Sequence, residues 1–344
     1  MQRDGCSVTI LRAVPFSVAM TLRFRRVTHR SGMLLEGPEG WGEFSPFLDY
    51  GPEYAARWLE AAIDAATRPF PAPQRTSVPV NATIPAVDAE RAYELARASG
   101  CHTAKVKVAE PGQRLADDID RVAAVRDALG PRAAIRVDAN AAWDVDTAAD
   151  ALSRLSQAAG GLQYAEQPCA TLDELRQLRT RTDVLLAADE SVRTAEDPER
   201  IAGLDAADLL VIKVQPLGGV HRARQVVDAA GLPVVVSSAV ETTIGLAAGA
   251  AFAAGLDDLP YACGLGTGTM LAADVVDDPL VPVNGEIPVG RRAPDAARLA
   301  QAVAAGDEAA DLEARFVAAI AYLPSDAREL LGPDPTSLVD RSAA

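Results

Sequence analysis

Ala134-Ile135-Arg136-Val137-Asp138, Gln163-Tyr164-Ala165-Glu166, Leu185-Leu186-Ala187-Ala188-Asp189, Leu209-Leu210-Val211-Ile212-Lys213 and Val234-Val235-Val236-Ser237 are five short runs, mostly apolar, each closed by a polar or charged residue. The closing residues fall at 138, 166, 189, 213 and 237, at spacings of 28, 23, 24 and 24. Apolar runs this short read as strands buried on both faces, the habit of parallel sheets. Ala-rich, charged stretches of helical length separate them, so strand and helix alternate as in a parallel α/β fold. The period is nearly constant, and no G-x-G-x-x-G follows a strand. Both features predict a closed, modified (β/α)8-type (TIM-like) barrel rather than an open doubly wound sheet.

The same rhythm extends outward. Strands are expected at 78–84 and 103–108, followed by helices at 88–99 and 114–129. Further helices are expected to about Ala159, through Leu178, near 198–202, and at 220–230 and 244–254. A last strand near 261–264 makes eight strand signals in all. Before the barrel, strands at 8–14 and 20–24, a hairpin at 33–44 and a helix at 53–66 form a small α+β unit. Three alternating prolines (Pro69, Pro71, Pro73) end it. The expected domains are therefore 1–77, the barrel at 78–278, and a C-terminal segment at 279–344 that packs back on both. In that segment an edge strand is expected at 280–283, helices at 293–305 and 311–321, and a frayed end from Pro333.

Composition narrows the function. The chain has 344 residues, 49% of them hydrophobic, enough for a large buried core. Its 33 basic and 48 acidic residues leave a net charge of -15, which phosphate backbones and anionic membranes repel. Nucleic acid and membrane are therefore excluded as partners, and the oligomeric state stays open. Four scattered cysteines without C-x-x-C spacing suit a reducing cytoplasm. No signal-peptide core follows Met1, and the apolar stretch 244–256 is too short to span a bilayer, so a cytoplasmic protein is expected. His102 and His221 read as surface or capping residues, and Trp41, Trp58 and Trp143 as packing residues.

Charges on buried strands carry the chemistry. Lys105 and Lys107 point to the same side of one strand, and each lowers the ammonium pKa of the other. Asp138 and Asn140 share a face at the next strand end, followed by Glu166, Asp189 and Lys213 on successive strands. At a barrel mouth, Asp138, Glu166 and Asp189 would meet and repel one another unless a divalent cation neutralised them. All-oxygen ligands without His or Cys select Mg²⁺ or Mn²⁺. Lys107 and Lys213, from opposite sides, would flank a substrate carboxylate on that metal. The arrangement suits abstraction of an α-proton by a neutral lysine, with the other lysine and the metal stabilising the enediolate. Each residue alone has a plainer reading: a strand-end Asp as a helix cap, or Lys-x-Lys on a solvated strand. Two other classes also stay open, a Schiff-base aldolase using Lys213 and a barrel that only binds.

Taken together, Lys105-Val106-Lys107, Asp138-Ala139-Asn140, Glu166-Gln167-Pro168, Asp189-Glu190-Ser191 and Lys213-Val214-Gln215-Pro216-Leu217-Gly218-Gly219 resemble the enolase superfamily, in its branch with a lysine on each side of the metal. The resemblance covers nearly the whole chain and implies that 1–77 is a capping domain. In that branch, o-succinylbenzoate synthases, dipeptide epimerases, N-acylamino acid racemases and muconate cycloisomerases share these residues. The stretches 166–169, 237–242 and 264–267 are most similar to the o-succinylbenzoate synthase family of high-GC actinobacteria. Gly264 and Gly266 stand where an epimerase would carry Asp-x-Asp. The resemblance implies Mg²⁺ on Asp138, Glu166 and Asp189, with Lys107 as base and acid and Lys213 as enediolate stabiliser. It implies that Lys105, Asn140, Ser237, Ser238 and Gly264 contact a small dianionic carboxylate, and that the reaction is a syn-dehydration serving menaquinone biosynthesis. A racemase or epimerase of the same branch is the alternative. The capping-domain loop expected at 24–32 is short and basic (Arg25, Arg26, His29, Arg30), either a solvated turn or a steering patch for the substrate.

Overall fold

The structure, a computed structural model, describes residues 10–24, 27–192 and 205–340, together with Arg200 and Gly203. The helix expected near 198–202 lies almost entirely outside the described residues.

The N-terminal layer is an antiparallel sheet of β1 (Arg12–Phe24), β2 (Val27–Gly37) and β3 (Gly40–Phe44), in that order. The helix Pro52–Thr67 covers it, with Trp58, Leu59 and Ile63 buried toward the sheet. The two strands expected at 8–14 and 20–24 are one long strand over the described part, because the stretch between them pairs with β2 as well. Gly42 permits the close packing of sheet and helix: a Cβ there would overlap the carbonyl of Ala62.

β4 (Ser77–Pro79) and β5 (Ala82–Ile84) come from the single strand expected at 78–84. Pro79 has no N–H to continue an inner ladder, so the run divides there. β4 pairs antiparallel with Glu286–Pro288, which replaces the edge strand expected at 280–283. Asn284 and Gly285, both in the left-handed region, turn the chain and push the pairing residues downstream.

From β5 the parallel sheet runs through β6 (Thr103–Lys107), β7 (Ala134–Asp138), β8 (Tyr164–Glu166), β9 (Leu186–Ala188), β10 (Leu209–Ile212) and β11 (Val234–Val236), each beside the next. The eighth position is held by single bridges rather than a ladder. Gly264 bridges Ser237 at the end of β11, and Cys263 bridges Val80 just before β5. Four backbone hydrogen bonds of 2.7–3.1 Å make this closure. The expected barrel is therefore present. Its helices begin where local caps dictate: Asp88 accepts from Arg91 N, Asp144 from Thr147 N, and Thr171 forms a capping box with Glu174.

The C-terminal helix Gly306–Ile320 packs on the helix Pro52–Thr67, and its Phe316 meets Phe44 edge to face at 6.1 Å. Burying a Phe in this way contributes about 1.5–3 kcal/mol. The chain end is ordered as far as Asp340, contrary to the fraying expected from Pro333. Pro335–Leu338 form a 3₁₀ turn, and Asp340 N donates to Ala13 O at 2.8 Å. Val339 packs into the same apolar cluster, which offsets the entropy of ordering the tail.

The basic loop needs correction. His29 and Arg30 lie in β2, and Arg25 and Arg26 fall outside the described residues. Arg30 is buried beneath the ring of Phe47, with its Nε donating to Val240 O (3.0 Å) and its Nη2 to Ser45 O (2.5 Å). It is a structural tie, neither a solvated charge nor a steering group.

Candidate active site

The strand ends expected to converge do so. β6 and β10 stand four places apart in a ring of eight, so Lys107 and Lys213 face each other across the mouth. Asp189, Lys213 and Ser237 each lie one residue beyond their strand, where the chain leaves the barrel. Asp138, Glu166 and Asp189 are at most 2% exposed. Lys105, Lys107, Asp138, Asn140, Lys213, Ser237, Ser238 and Gly264 line one cavity, while Glu166 and Asp189 are buried outside its lining.

Every carboxylate of the trio carries a lysine. Lys105 Nζ lies 2.6 Å from Glu166 Oε1 and 3.1 Å from Asp138 Oδ2. Lys107 Nζ lies 2.5 Å from Asp138 Oδ2 and donates to Asn140 Oδ1 at 2.8 Å, and Lys213 Nζ lies 2.5 Å from Asp189 Oδ2. Among the described residues no three carboxylates therefore stand as a ready-made cation cage.

These contacts set the titration of each group. Burial opposes the charge on Asp138, but Lys107 and Lys105 outweigh it and hold its carboxyl well below the usual range. Burial would also neutralise Lys105, yet Glu166 and Asp138 keep it firmly protonated. Lys107 goes the other way: burial lowers its pKa, Asp138 offsets part of that, and the Lys105 charge lowers it further. Glu166 is pushed up by burial and by repulsion from Asp138 and Asp189. A buried all-oxygen trio with that residual repulsion fits a hard divalent cation, which would remove it.

Several residues of the site were not anticipated. Gln167, with φ +37°, ties two strand ends together: its Oε1 accepts from Asp189 N (2.9 Å) and its Nε2 donates to Ser191 Oγ (2.8 Å). Asn140 (+46°), Ala141 (+63°) and Val240 (+62°) also hold left-handed backbone around the mouth, strain of the kind that collects at functional sites. Thr83 and Thr267 join the lining, and Ser238 and Thr267 share a hydrogen bond of 2.7 Å. Phe47, Tyr50 and Trp58 from the N-terminal layer form an aromatic wall over the barrel. Trp58, expected only to pack, is 1% exposed, and among the described residues its indole N–H has no acceptor and the Thr83 hydroxyl no partner. The only hint of this in the sequence is the concentration of aromatics between Phe44 and Trp58. Any side chain at Gly264 would run into Ser237 Oγ.

A barrel of this kind, roofed by an N-terminal α+β layer and bearing paired lysines and strand-end carboxylates, defines a class. The chain belongs to the enolase superfamily: the family described as "Enolase C-terminal domain-like" matches residues 88–296, and "Enolase N-terminal domain-like" matches residues 15–66. Within it, the chain is similar to the o-succinylbenzoate synthase of Thermobifida fusca, at 57% identity over 83% of this chain and 90% of that one. It is likewise similar to the o-succinylbenzoate synthase of Mycolicibacterium smegmatis, at 52% identity over 83% and 87%. Among solved structures, the muconate lactonizing enzyme from Pseudomonas putida shares the fold with a TM-score of 0.73 at 21% identity, over 86% of this chain and all of that one. The L-Ala-D/L-Glu epimerase from Bacillus subtilis does so with a TM-score of 0.71 at 23% identity, over 83% and 98%.

Proposed function

We infer that the protein is an o-succinylbenzoate synthase, a hydro-lyase that dehydrates 2-succinyl-6-hydroxy-2,4-cyclohexadiene-1-carboxylate to 2-succinylbenzoate. The observation that carries this reading is identity above 50% to synthases of that name over more than four-fifths of the chain. Asp138, Glu166 and Asp189 would hold a divalent cation, with Mg²⁺ favoured over Mn²⁺ for a carboxylate set. When bound, that ion draws charge from the ring carboxylate and makes the adjacent proton more acidic.

The chain's own groups do the rest. Lys107 has the lowered pKa of a base and takes the α-proton at Nζ. The electrons of the broken C–H bond are first held on the adjacent carboxylate, then return to form the new ring double bond as the C–O bond at the neighbouring carbon breaks. The Lys107 ammonium, on the same face, gives its proton to the departing hydroxide, so water leaves and the ring becomes aromatic. Lys213, opposite, offers an ammonium to the negative charge developing on the substrate carboxylate. Asn140 fixes Lys107, Lys105 lowers its pKa, and both help to receive that carboxylate. Ser237, Ser238 and Gly264 meet the succinyl arm, and the unpaired Thr83 hydroxyl and Trp58 N–H are further donors for it.

No described helix is long and apolar enough to cross a membrane, and Cys101, Cys169 and Cys263 are free and buried. The free thiols favour a reducing compartment, and we read the enzyme as cytoplasmic, acting in menaquinone biosynthesis on a small dianion. The test is turnover of the cyclohexadiene substrate by the purified protein, with and without Mg²⁺, beside a panel of N-acylamino acids. Formation of 2-succinylbenzoate only with the metal supports the reading. Racemisation of the panel with no dehydration would replace it.

A further inference from the structure

Two acidic residues of the N-terminal layer take no part in this chemistry, yet both are buried against the barrel. Glu43, in β3, is 2% exposed. Its carboxylate accepts from Thr242 N (3.1 Å), Thr242 Oγ1 (2.6 Å) and Gly245 N (3.1 Å), at the first turn of the helix Thr243–Ala254. Asp64, in the helix Pro52–Thr67, accepts from Val220 N (3.0 Å) at the start of the helix Val220–Ala230, and lies 2.8 Å from His221 Nδ1. That helix has Gly219 at its own cap position, which offers no side chain. Each carboxylate thus serves the positive end of a barrel helix from another part of the chain.

The barrel side is shaped to receive them. A Cβ on Gly219 would stand 2.6 Å from Asp64 Oδ2, and one on Gly218 would stand 2.9 Å from Glu60 Oε2. The Gly218-Gly219 pair, which the proposed chemistry leaves unused, thereby admits the layer's helix. On the other side, Val240 is a β-branched residue at φ +62°, a conformation that does not hold itself. Arg30 takes its carbonyl and Glu43 anchors the chain two residues on. Between Glu43 and Asp64 the chain carries Phe47, Tyr50 and Trp58, the aromatic wall of the cavity.

We propose that Glu43 and Asp64 are positioning residues that clamp both ends of this wall onto the two loops bearing Lys213 and Val240, so that wall and strand ends keep one spacing. The proposal rests on the synthase reading only for its kinetic readout. Glu43→Ala and Asp64→Ala would be compared with Phe316→Leu, which loosens the same layer from its far side. The measurements are kcat, KM and amide hydrogen exchange at Val220, Thr242 and Gly245. Each alanine variant should raise KM about tenfold, the worth of a lost hydrogen bond, with a smaller change in kcat. It should also speed exchange at the helix start it no longer caps. Asp64→Asn, which keeps an acceptor, should restore KM to within about threefold of the parent, and Phe316→Leu should leave KM within about twofold. An equal KM rise in Phe316→Leu at matched Tm, or unchanged exchange in the alanine variants, overturns the clamp. Should an alanine variant not fold, Glu43→Ser and Asp64→Ser, polar but too short to bridge, carry the same comparison. If the parent protein leaves the cyclohexadiene substrate untouched, the synthase reading fails while the exchange data still decide the clamp.

Discussion

The barrel mouth and the aromatic wall enclose the same cavity but are held by opposite means. At the mouth, charge answers charge: Lys105, Lys107 and Lys213 sit on Asp138, Glu166 and Asp189, at strand ends that the sheet holds in register. At the wall, Phe47, Tyr50 and Trp58 pack as rings 6.1–6.2 Å apart, Arg30 lies against the Phe47 ring, and carboxylates tie the two ends to helix N-termini. The mouth is suited to changing its charge during a reaction. The wall is suited to holding its shape. Substitutions at the mouth should therefore act on rate, and those in the wall on affinity.

The largest effect expected is at Lys107. Lys107→Ala should lower kcat by about 10⁴-fold, the upper end for a general base, with KM little changed, as measured by product formation. A larger change in KM than in kcat would move Lys107 from chemistry to binding. Lys213→Ala should cost about 10²–10³ in kcat, as for an oxyanion donor. If an N-acylamino acid is also a substrate, each lysine variant in D₂O should exchange only one enantiomer. Equal loss for both enantiomers would break the facing arrangement of the two lysines.

The acid limb of the pH profile reports the same base. In the proposed role of base Lys107 must be neutral, so kcat/KM should fall as pH drops through its pKa. Burial and Lys105 place that limb below the ordinary lysine value of 10.5. Removing the Lys105 charge by Lys105→Met should shift the limb upward, and a downward shift would contradict the assigned electrostatics. The smallest effect is at the wall: Trp58→Phe keeps the ring stack and removes only the N–H. It should raise KM about five- to tenfold with kcat unchanged, and an unaltered KM would exclude the indole from substrate contact.

The same contrast explains what could be read from the chain. Asp138, Glu166, Asp189 and Lys213 were legible because each ends a buried apolar run, where an ionised group is too costly to be incidental. Their regular spacing also gave the barrel. Glu43 and Asp64 carry no such mark, since an acidic residue in a short strand or an amphipathic helix is ordinarily solvated. Only the folded chain shows that their solvent is the start of another helix. Arg30 misled for the same reason: with one face of β2 against the barrel loop, a residue that looks like a loop charge is 2% exposed. Gln167 stood beside a recognised carboxylate, but the tie it makes depends on a left-handed backbone that the sequence does not announce.

The ring closes through Cys263 and Gly264 alone, and this bears on how the chain finds its fold. Neighbouring strands from β5 to β11 pair in chain order, so each joins the last over a short connection. The bridge that sets Cys263 opposite Val80, through hydrogen bonds to Pro79 and Asn81, instead brings together the two ends of the barrel segment, at the greatest loop-closure entropy of any pairing in it. The seven-stranded sheet can form as an open, curling structure, and the seam can be drawn shut last by a few hydrogen bonds. The end of the cavity beside Ser237 and Gly264 lies on the seam, where the barrel can widen at the least expense of pairing.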